Sequence, residues 1–331
     1  MKAAVFRALD RPLSIENIVD PKPRADEIVV KVGRCGICGS DLHMTREPIF
    51  GLQPGAVLGH EFAGEIIEIG KNVERLKVGD RVAVAPLRGC GHCASCLAGE
   101  PSWCSRMTLQ GGGYAEYAAA TERQCRKFPD SVSLADGALV EPLAVALHGV
   151  ALSGLKAGAR VLVMGAGPIG IGVAFWARRL GAGRVVLSDL HDAHSALARE
   201  VGAHFVKVNG DAVENVREAL GGPPEIVFEC VGAAGILAQT LEHVAPRGTI
   251  VMLGLCTSPD SFIPFAAVQK EVRFQTSAFF TLREFQAVLD MFEREQGPRA
   301  MVTDTVSLPA MPDAFEALRR RTHQCKVMVR P

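Results

Sequence analysis

The sequence predicts an α/β protein in which a doubly wound parallel sheet is joined to a β-rich domain with a metal-stapled lobe. Three observations predict it. From about residue 145, strand-like runs alternate with helical ones; upstream, β-branched runs alternate with glycine and proline; and four cysteines crowd into one loop. Alternation of the first kind builds a parallel sheet with helices on both faces.

The elements follow in order. Glu27–Val32 and Gly64–Gly70 mix β-branched residues with turn formers, and Gly79-Asp80 reads as a turn entering another strand at Arg81–Val84. The many glycines and prolines before residue 140 predict a small irregular barrel with no helices. Beyond 145 come strand and helix pairs: Arg160–Met164 with Pro168–Leu180, then Arg184–Ser188 with Ala193–Val201. Glu225–Cys230, Ile236–Val244 and Gly248–Leu253 continue the pattern. The tail predicts helices at Leu282–Glu295 and Met311–Arg321 and a closing strand at Lys326–Arg330. The expected organisation is one domain from 1–144 with 282–331, its lobe at about 88–106, and a second domain at 145–281.

Composition bounds the function. A chain of 331 residues suits two domains, and 48% hydrophobic with 22% charged residues is globular. Lysine plus arginine equals aspartate plus glutamate at 36 each, so nothing is available to neutralise nucleic-acid phosphates. The N-terminus meets Lys2 and Arg7 too early for a signal-peptide apolar segment. The uncharged stretch Val161–Ala177 divides into strand, glycine turn and helix, which argues against a membrane span. The ten cysteines cluster as metal ligands do, so the expected location is the reducing cytoplasm.

Val161–Met164 runs directly into Gly165-Ala166-Gly167-Pro168-Ile169-Gly170, and a helix follows: G-x-G-x-x-G in the context that gives it meaning. Gly165 permits a tight turn, Gly167 a close approach of backbone to pyrophosphate, and Gly170 close helix–strand packing. The N–H groups at the start of the helix, from Pro168 and Ile169 onward, favour negative charge. Asp189, ending the next strand, can accept from the adenosine ribose and would repel a 2′-phosphate. Leu190-His191-Asp192-Ala193-His194 follows it with no arginine or lysine to hold that phosphate, so NAD is expected over NADP. Capping of the next helix is the competing role for Asp189.

Cys90, Cys93, Cys96 and Cys104 form C-x₂-C-x₂-C-x₇-C. Four thiolates from one short loop fit tetrahedral zinc with no position left for substrate, which makes the site structural. Paired disulfides fail on compartment, and an iron–sulfur cluster lacks a redox partner. His92 is a bystander to a complete shell. A second metal set spans separate segments: Cys38 in Cys35–His43, His60-Glu61, and Glu141-Pro142. One cysteine, one histidine and carboxylates suit zinc with an open position for a Lewis-acid role. Cys35 reads as a packed strand cysteine. Adjacent strand residues point to opposite faces, so His60 and Glu61 share a metal only where the backbone is irregular.

Taken together, Cys38–His43, Gly59–Gly64, Gly79–Val82, the four-cysteine loop, Glu141-Pro142 with Ala144–His148, and the glycine motif resemble the zinc-containing medium-chain dehydrogenases. The similarity covers almost the whole chain, and the butanediol, sorbitol and threonine dehydrogenase branch is nearest. Pro48–Phe50 and Gly111–Tyr117 look most like the butanediol enzymes. The resemblance implies a Rossmann NAD domain, a GroES-like catalytic domain, two zinc ions per chain and a homodimer or homotetramer. It implies that Cys38 and His60 are zinc ligands with Glu61 or Glu141 as the third.

The implied reaction interconverts a secondary alcohol, a vicinal diol or polyol, and its ketone by hydride transfer. Ser40, the cofactor ribose and His43 would carry the proton outward. Ser40 and His43 are three apart, so a helical turn would put them on one face. The resemblance also implies that Lys326 reaches the cofactor pyrophosphate and that Ser277–Phe280 lies beside the nicotinamide. Two other readings stay open: a threonine-like amino-alcohol dehydrogenase, and a non-catalytic dinucleotide-binding or metal-free quinone-reductase-like protein. Cys125, Cys230, Cys256 and Cys325 have no assigned role.

Overall fold

The computed structural model describes residues 1–210, 212–295, 297–320 and 323–331. The chain divides into two compact units, Met1–Glu141 with Phe280–Pro331, and Pro142–Phe279.

In the second unit six parallel strands lie in the order His204–Lys207, Arg184–Asp189, Arg160–Met164, Ile226–Glu229, Thr249–Met252, Arg273–Thr276. This is the doubly wound order, whose direction reverses between Arg160–Met164 and Ile226–Glu229. Such strands must be apolar on both faces, and Val161, Leu162, Val163, Val227 and Phe228 are fully buried. Val161–Ala177 does split into strand and helix, as Arg160–Met164 and Pro168–Arg179.

The first unit is built on a seven-stranded sheet. The ten-residue strand Glu27–Gly36 is its spine, paired along its length with Glu61–Ile69 and at its two ends with Tyr117–Thr121 and Lys326–Arg330. The closing strand thereby carries Lys326 to the end of the spine where Gly36 faces Glu61.

Three expectations are corrected. A 19-residue helix, Leu134–Leu152, rises where none was predicted before residue 140. Its glycines and Pro142 mimic loop punctuation, and it is apolar on every side, so no period marks it. It is long and apolar enough to cross a membrane, yet 72% of its most apolar window is buried inside the protein, as in a core helix. Second, the segments His204–Lys207, Ala212–Leu220, Pro264–Lys270 and Arg273–Thr276 are regular although the sequence reading passed over them. Third, the helix expected at Met311–Arg321 closes at Ala317, with Leu318 as its C-cap, and Arg321 is outside the described residues. The helical turn invoked for Ser40 and His43 is present after the spine, as Gly39–Met44.

Candidate active site

The site begins where the spine ends. Cys38 is the N-cap of the helix Gly39–Met44. Arg319 clamps that helix, donating to Leu42 O at 2.8 Å and Thr45 Oγ1 at 2.7 Å. His60 precedes its strand, which starts at Glu61, and Gly59 before it has φ +84°. This left-handed glycine is the backbone break that lets neighbouring residues turn toward one point. Donor atoms of Cys38, His60 and Glu61 lie within 4.8 Å of one another. Thiolate, imidazole and carboxylate at that spacing fit a zinc ion with an open position.

Room for Glu61 is made by an absent side chain. A Cβ on Gly36 would stand 2.0 Å from Glu61 Oε2, so a side chain there would have to displace the Glu61 carboxylate. Glu141, on Leu134–Leu152, is buried, and among the described residues it lies outside the 4.8 Å group. Gly137, one turn earlier on the same face, presses on Ala63, where a Cβ would come to 2.7 Å. Burial raises the Glu141 carboxyl to about 7, helped by the neighbouring Glu61 and opposed by His60.

Lys326, expected from the resemblance to reach a cofactor pyrophosphate, has a buried ammonium that donates to Glu61 Oε1 and Oε2 at 2.7 Å each and to Ile37 O at 3.1 Å. All three N–H groups are engaged. A charge taken out of water needs an opposite charge beside it, and Glu61 supplies one. Burial alone would depress the lysine pKa, but Glu61 holds it above the ordinary value.

Sequence reasoning also missed Asp41, which is completely buried. Its Oδ1 lies 3.2 Å from His60 Nδ1. Burial would lower the imidazole pKa, yet Asp41 and the Cys38 sulfur pull it well above the usual histidine value. The signal was available: an aspartate three residues past a metal-type cysteine, given that ligating histidines usually donate their second N–H to a carboxylate. Ser40 and His43 share the helix Gly39–Met44. Ser40 Oγ donates to Cys38 Sγ at 3.2 Å, and His43 Nδ1 lies 2.6 Å from Glu47 Oε1. Cys35 is fully buried on the spine.

In the lobe, Sγ atoms of Cys90, Cys93, Cys96 and Cys104 fall within 4.8 Å of one another. Backbone N–H groups point at sulfur: Cys93 N to Cys90 and both Cys90 N and Arg106 N to Cys104, each at 3.4 Å. The backbone N–H of His92 leads the groups that draw the Cys90 thiol down to about 5, while burial lifts Cys96 to about 11. The His92 ring instead meets Cys90 O at 2.9 Å and Arg106 Nη2 at 2.8 Å.

In the second unit, Gly165 adopts φ +98°, and a Cβ on Gly170 would stand 1.8 Å from Gly165 O. Gly167 is the N-cap of Pro168–Arg179 with no side-chain cap, and Pro168 occupies the first turn. The N–H groups of Ile169 and Gly170 are therefore left for an anion, which fits a dinucleotide phosphate. Asp189 Oδ2 accepts from Ala166 N at 2.8 Å and Oδ1 from His191 N at 3.1 Å. It thus braces the glycine turn as well as ending its strand. His194 Nδ1 meets Ala166 O at 2.8 Å, a second brace that sequence reasoning missed. Lys207, also passed over, is the register partner of Asp189, with its Nζ 3.7 Å from Asp192.

Fold and site together define a class: an oxidoreductase that joins a dinucleotide-type parallel sheet to a β-rich unit with two metal-type ligand sets. Two family models match, the alcohol dehydrogenase GroES-like domain over residues 24–130 and the zinc-binding dehydrogenase over 168–294. (R,R)-butanediol dehydrogenase of Bacillus subtilis is 33% identical over 348 residues, covering 100% of both chains. Sorbitol dehydrogenase of the same organism is 31% identical, covering 100% of this chain and 97% of its own. Two solved structures cover 100% of this chain and 99% of theirs. An Escherichia coli alcohol dehydrogenase complexed with NADH has TM-score 0.91 at 29% identity. A zinc-binding dehydrogenase from Sinorhizobium meliloti bound to NADP has TM-score 0.90 at 33%. The chain belongs to the zinc-type alcohol dehydrogenase family.

Proposed function

We propose that the protein catalyses reversible NAD-linked oxidation of a secondary alcohol, a vicinal diol or polyol, to the ketone. The observation that carries this reading is the convergence of Cys38, His60 and Glu61 donor atoms within 4.8 Å. In it these three residues hold a catalytic zinc, Glu141 is the alternate carboxylate, and the four-cysteine loop holds a second zinc. When bound, zinc supplies a Lewis acid for an alcohol oxygen and NAD supplies the hydride acceptor.

The protein's residues do the rest. Lys326 holds the Glu61 carboxylate in place through two hydrogen bonds. Ser40, beside Cys38, is placed to take the proton leaving the alcohol, and His43, with a side chain 38% exposed, to exchange it with water. An NADH-production screen over vicinal diols, polyols and amino alcohols tests the substrate class. Diols or polyols are expected to give the highest kcat/KM, and a threonine-type amino alcohol ahead of both would replace the proposal.

NAD rather than NADP rests on the charge of Asp189. Asp189→Asn keeps an acceptor and the shape of the side chain but removes the repulsion of a 2′-phosphate. The ratio of NAD to NADP kcat/KM is expected to fall by about tenfold, roughly 1.4 kcal/mol. An unchanged ratio would show that Asp189 is only a brace.

The protein is further read as a homodimer or homotetramer. The strand Arg273–Thr276 ends its sheet, and Ile263, Phe265 and Val268, in the segment preceding it, are exposed, which suits an interface with a second copy.

A further inference from the structure

Among the described residues, Tyr114 is a buried polar group next to the site that the mechanism above does not use. Tyr114 is fully buried, and its hydroxyl donates to Asp41 Oδ2 at 2.5 Å, with Gly36 O at 3.4 Å. The other oxygen of Asp41 is the one that faces His60 Nδ1 at 3.2 Å. Hydroxyl, carboxylate and imidazole therefore stand in a row, away from solvent.

The same tyrosine also touches the chain beside His60. A Cβ on Gly59 would stand 2.5 Å from Tyr114 Cδ1 and 2.8 Å from Cε1 and Cγ, so the ring occupies the space a side chain at 59 would need. Tyr114 N donates to Leu58 O at 3.1 Å and Gly113 N to Gly59 O at 2.8 Å, tying the two loops together. The edge of Phe315 closes the pocket, with ring centroids 6.3 Å apart at 81°.

We propose that Tyr114 is a positioning residue for the metal-binding histidine, acting through Asp41. A carboxylate with no water around it must take its hydrogen bonds from protein. The phenol satisfies Oδ2 and fixes the plane of the carboxylate, and Oδ1, which has no hydrogen-bond partner of its own among the described residues, is left 3.2 Å from His60 Nδ1 and free to accept its proton. That selects one imidazole tautomer and leaves Nε2 unprotonated for the ion. Tyr114 packs against Gly59 as well, so it holds both the backbone and the ring of His60. The inference deepens the proposed zinc site and rests on it.

The test measures zinc release from the holoenzyme to a chromogenic chelator. Tyr114→Phe removes one oxygen and keeps the ring. It is expected to weaken zinc at the Cys38–His60–Glu61 site by about 10- to 100-fold, in the range of lost partners of a ligating histidine, with the four-cysteine zinc unchanged. Asp41→Asn should weaken the same zinc, and the double variant should lose much less than the product of the two single effects, because both act through one chain of bonds.

Wild-type zinc affinity in Tyr114→Phe, or effects that simply multiply, would overturn the inference. A second measurement needs no variant. The chain has two tyrosines, so fluorotyrosine-labelled enzyme should show two ¹⁹F resonances, and stripping the site's zinc should move that of Tyr114. An unmoved resonance would also overturn it. Cys38→Ser separates this from the underlying reading: if that variant keeps both zinc ions at wild-type affinity, the metal site itself is wrong. If it loses one while Tyr114→Phe behaves as wild type, only the role of Tyr114 fails.

Discussion

Replacing Cys38 with serine is expected to lower kcat/KM for the alcohol by about three orders of magnitude, roughly 4 kcal/mol of transition-state stabilisation. Serine matches cysteine in shape, and the N-cap of Gly39–Met44 tolerates it well. The fold should therefore persist. What is lost is the thiolate: a serine hydroxyl stays protonated at neutral pH and is a poor partner for zinc beside an imidazole and a carboxylate. NAD binding should be nearly unchanged, because the glycine turn at Gly165 and its brace Asp189 belong to the other unit. Elemental analysis should find one zinc fewer per chain, and titration calorimetry a wild-type NAD affinity. Wild-type turnover in this variant would remove the proposed catalytic centre.

Cys96→Ser should damage the fold instead. Within 88–106 the described side chains make almost no core: Pro101 and Cys104 are buried, while Leu97 is 71% and Trp103 65% exposed. Such a lobe cannot supply its own hydrophobic stabilisation, and a structural zinc contributes on the order of 10 kcal/mol to folding. Cys96 Sγ also fills the space left by Gly89, where a Cβ would stand only 2.4 Å from it. Removing this one ligand of four should cost several kcal/mol locally. The expected signs are loss of the tightly held zinc, a lower thermal midpoint, and new proteolytic cleavage within 88–106. A variant with the wild-type midpoint and cleavage pattern would exclude a structural metal there.

The parts of the site that were legible in sequence share one property: their geometry is local. The four cysteines lie within fifteen residues, and a loop that short brings their sulfurs together however the rest folds. The glycine motif is likewise a strand, a turn and a helix in succession, and its steric demands show directly at Gly165 and Gly170. The sequence also posed the right condition for His60 and Glu61, that the backbone break there. It could not show that the break falls at Gly59, since a glycine has many uses.

The misses have physical reasons of their own. The helix Leu134–Leu152 carries no amphipathic period because it is packed on all sides, and its Pro142 reads as a stop. Lys326 lies 265 residues from Glu61, and only the pairing of the closing strand with the spine reveals that they form an ion pair. Family resemblance assigned this lysine to a phosphate. In the structure its buried ammonium lies against the Glu61 carboxylate.

By itself, then, the sequence determined the class of chemistry: which residues can ligate metal, where a dinucleotide phosphate meets backbone, and the α/β architecture that holds both. Tertiary structure alone brought the donor atoms of Cys38, His60 and Glu61 within 4.8 Å, with Glu141 outside that group, and set Asp41 beside His60, Tyr114 against Asp41 and Lys326 against Glu61. The division follows from range. Covalent connectivity dictates contacts within a turn or a short loop, whereas buried charges find partners only after strands distant in sequence have paired and water has been excluded.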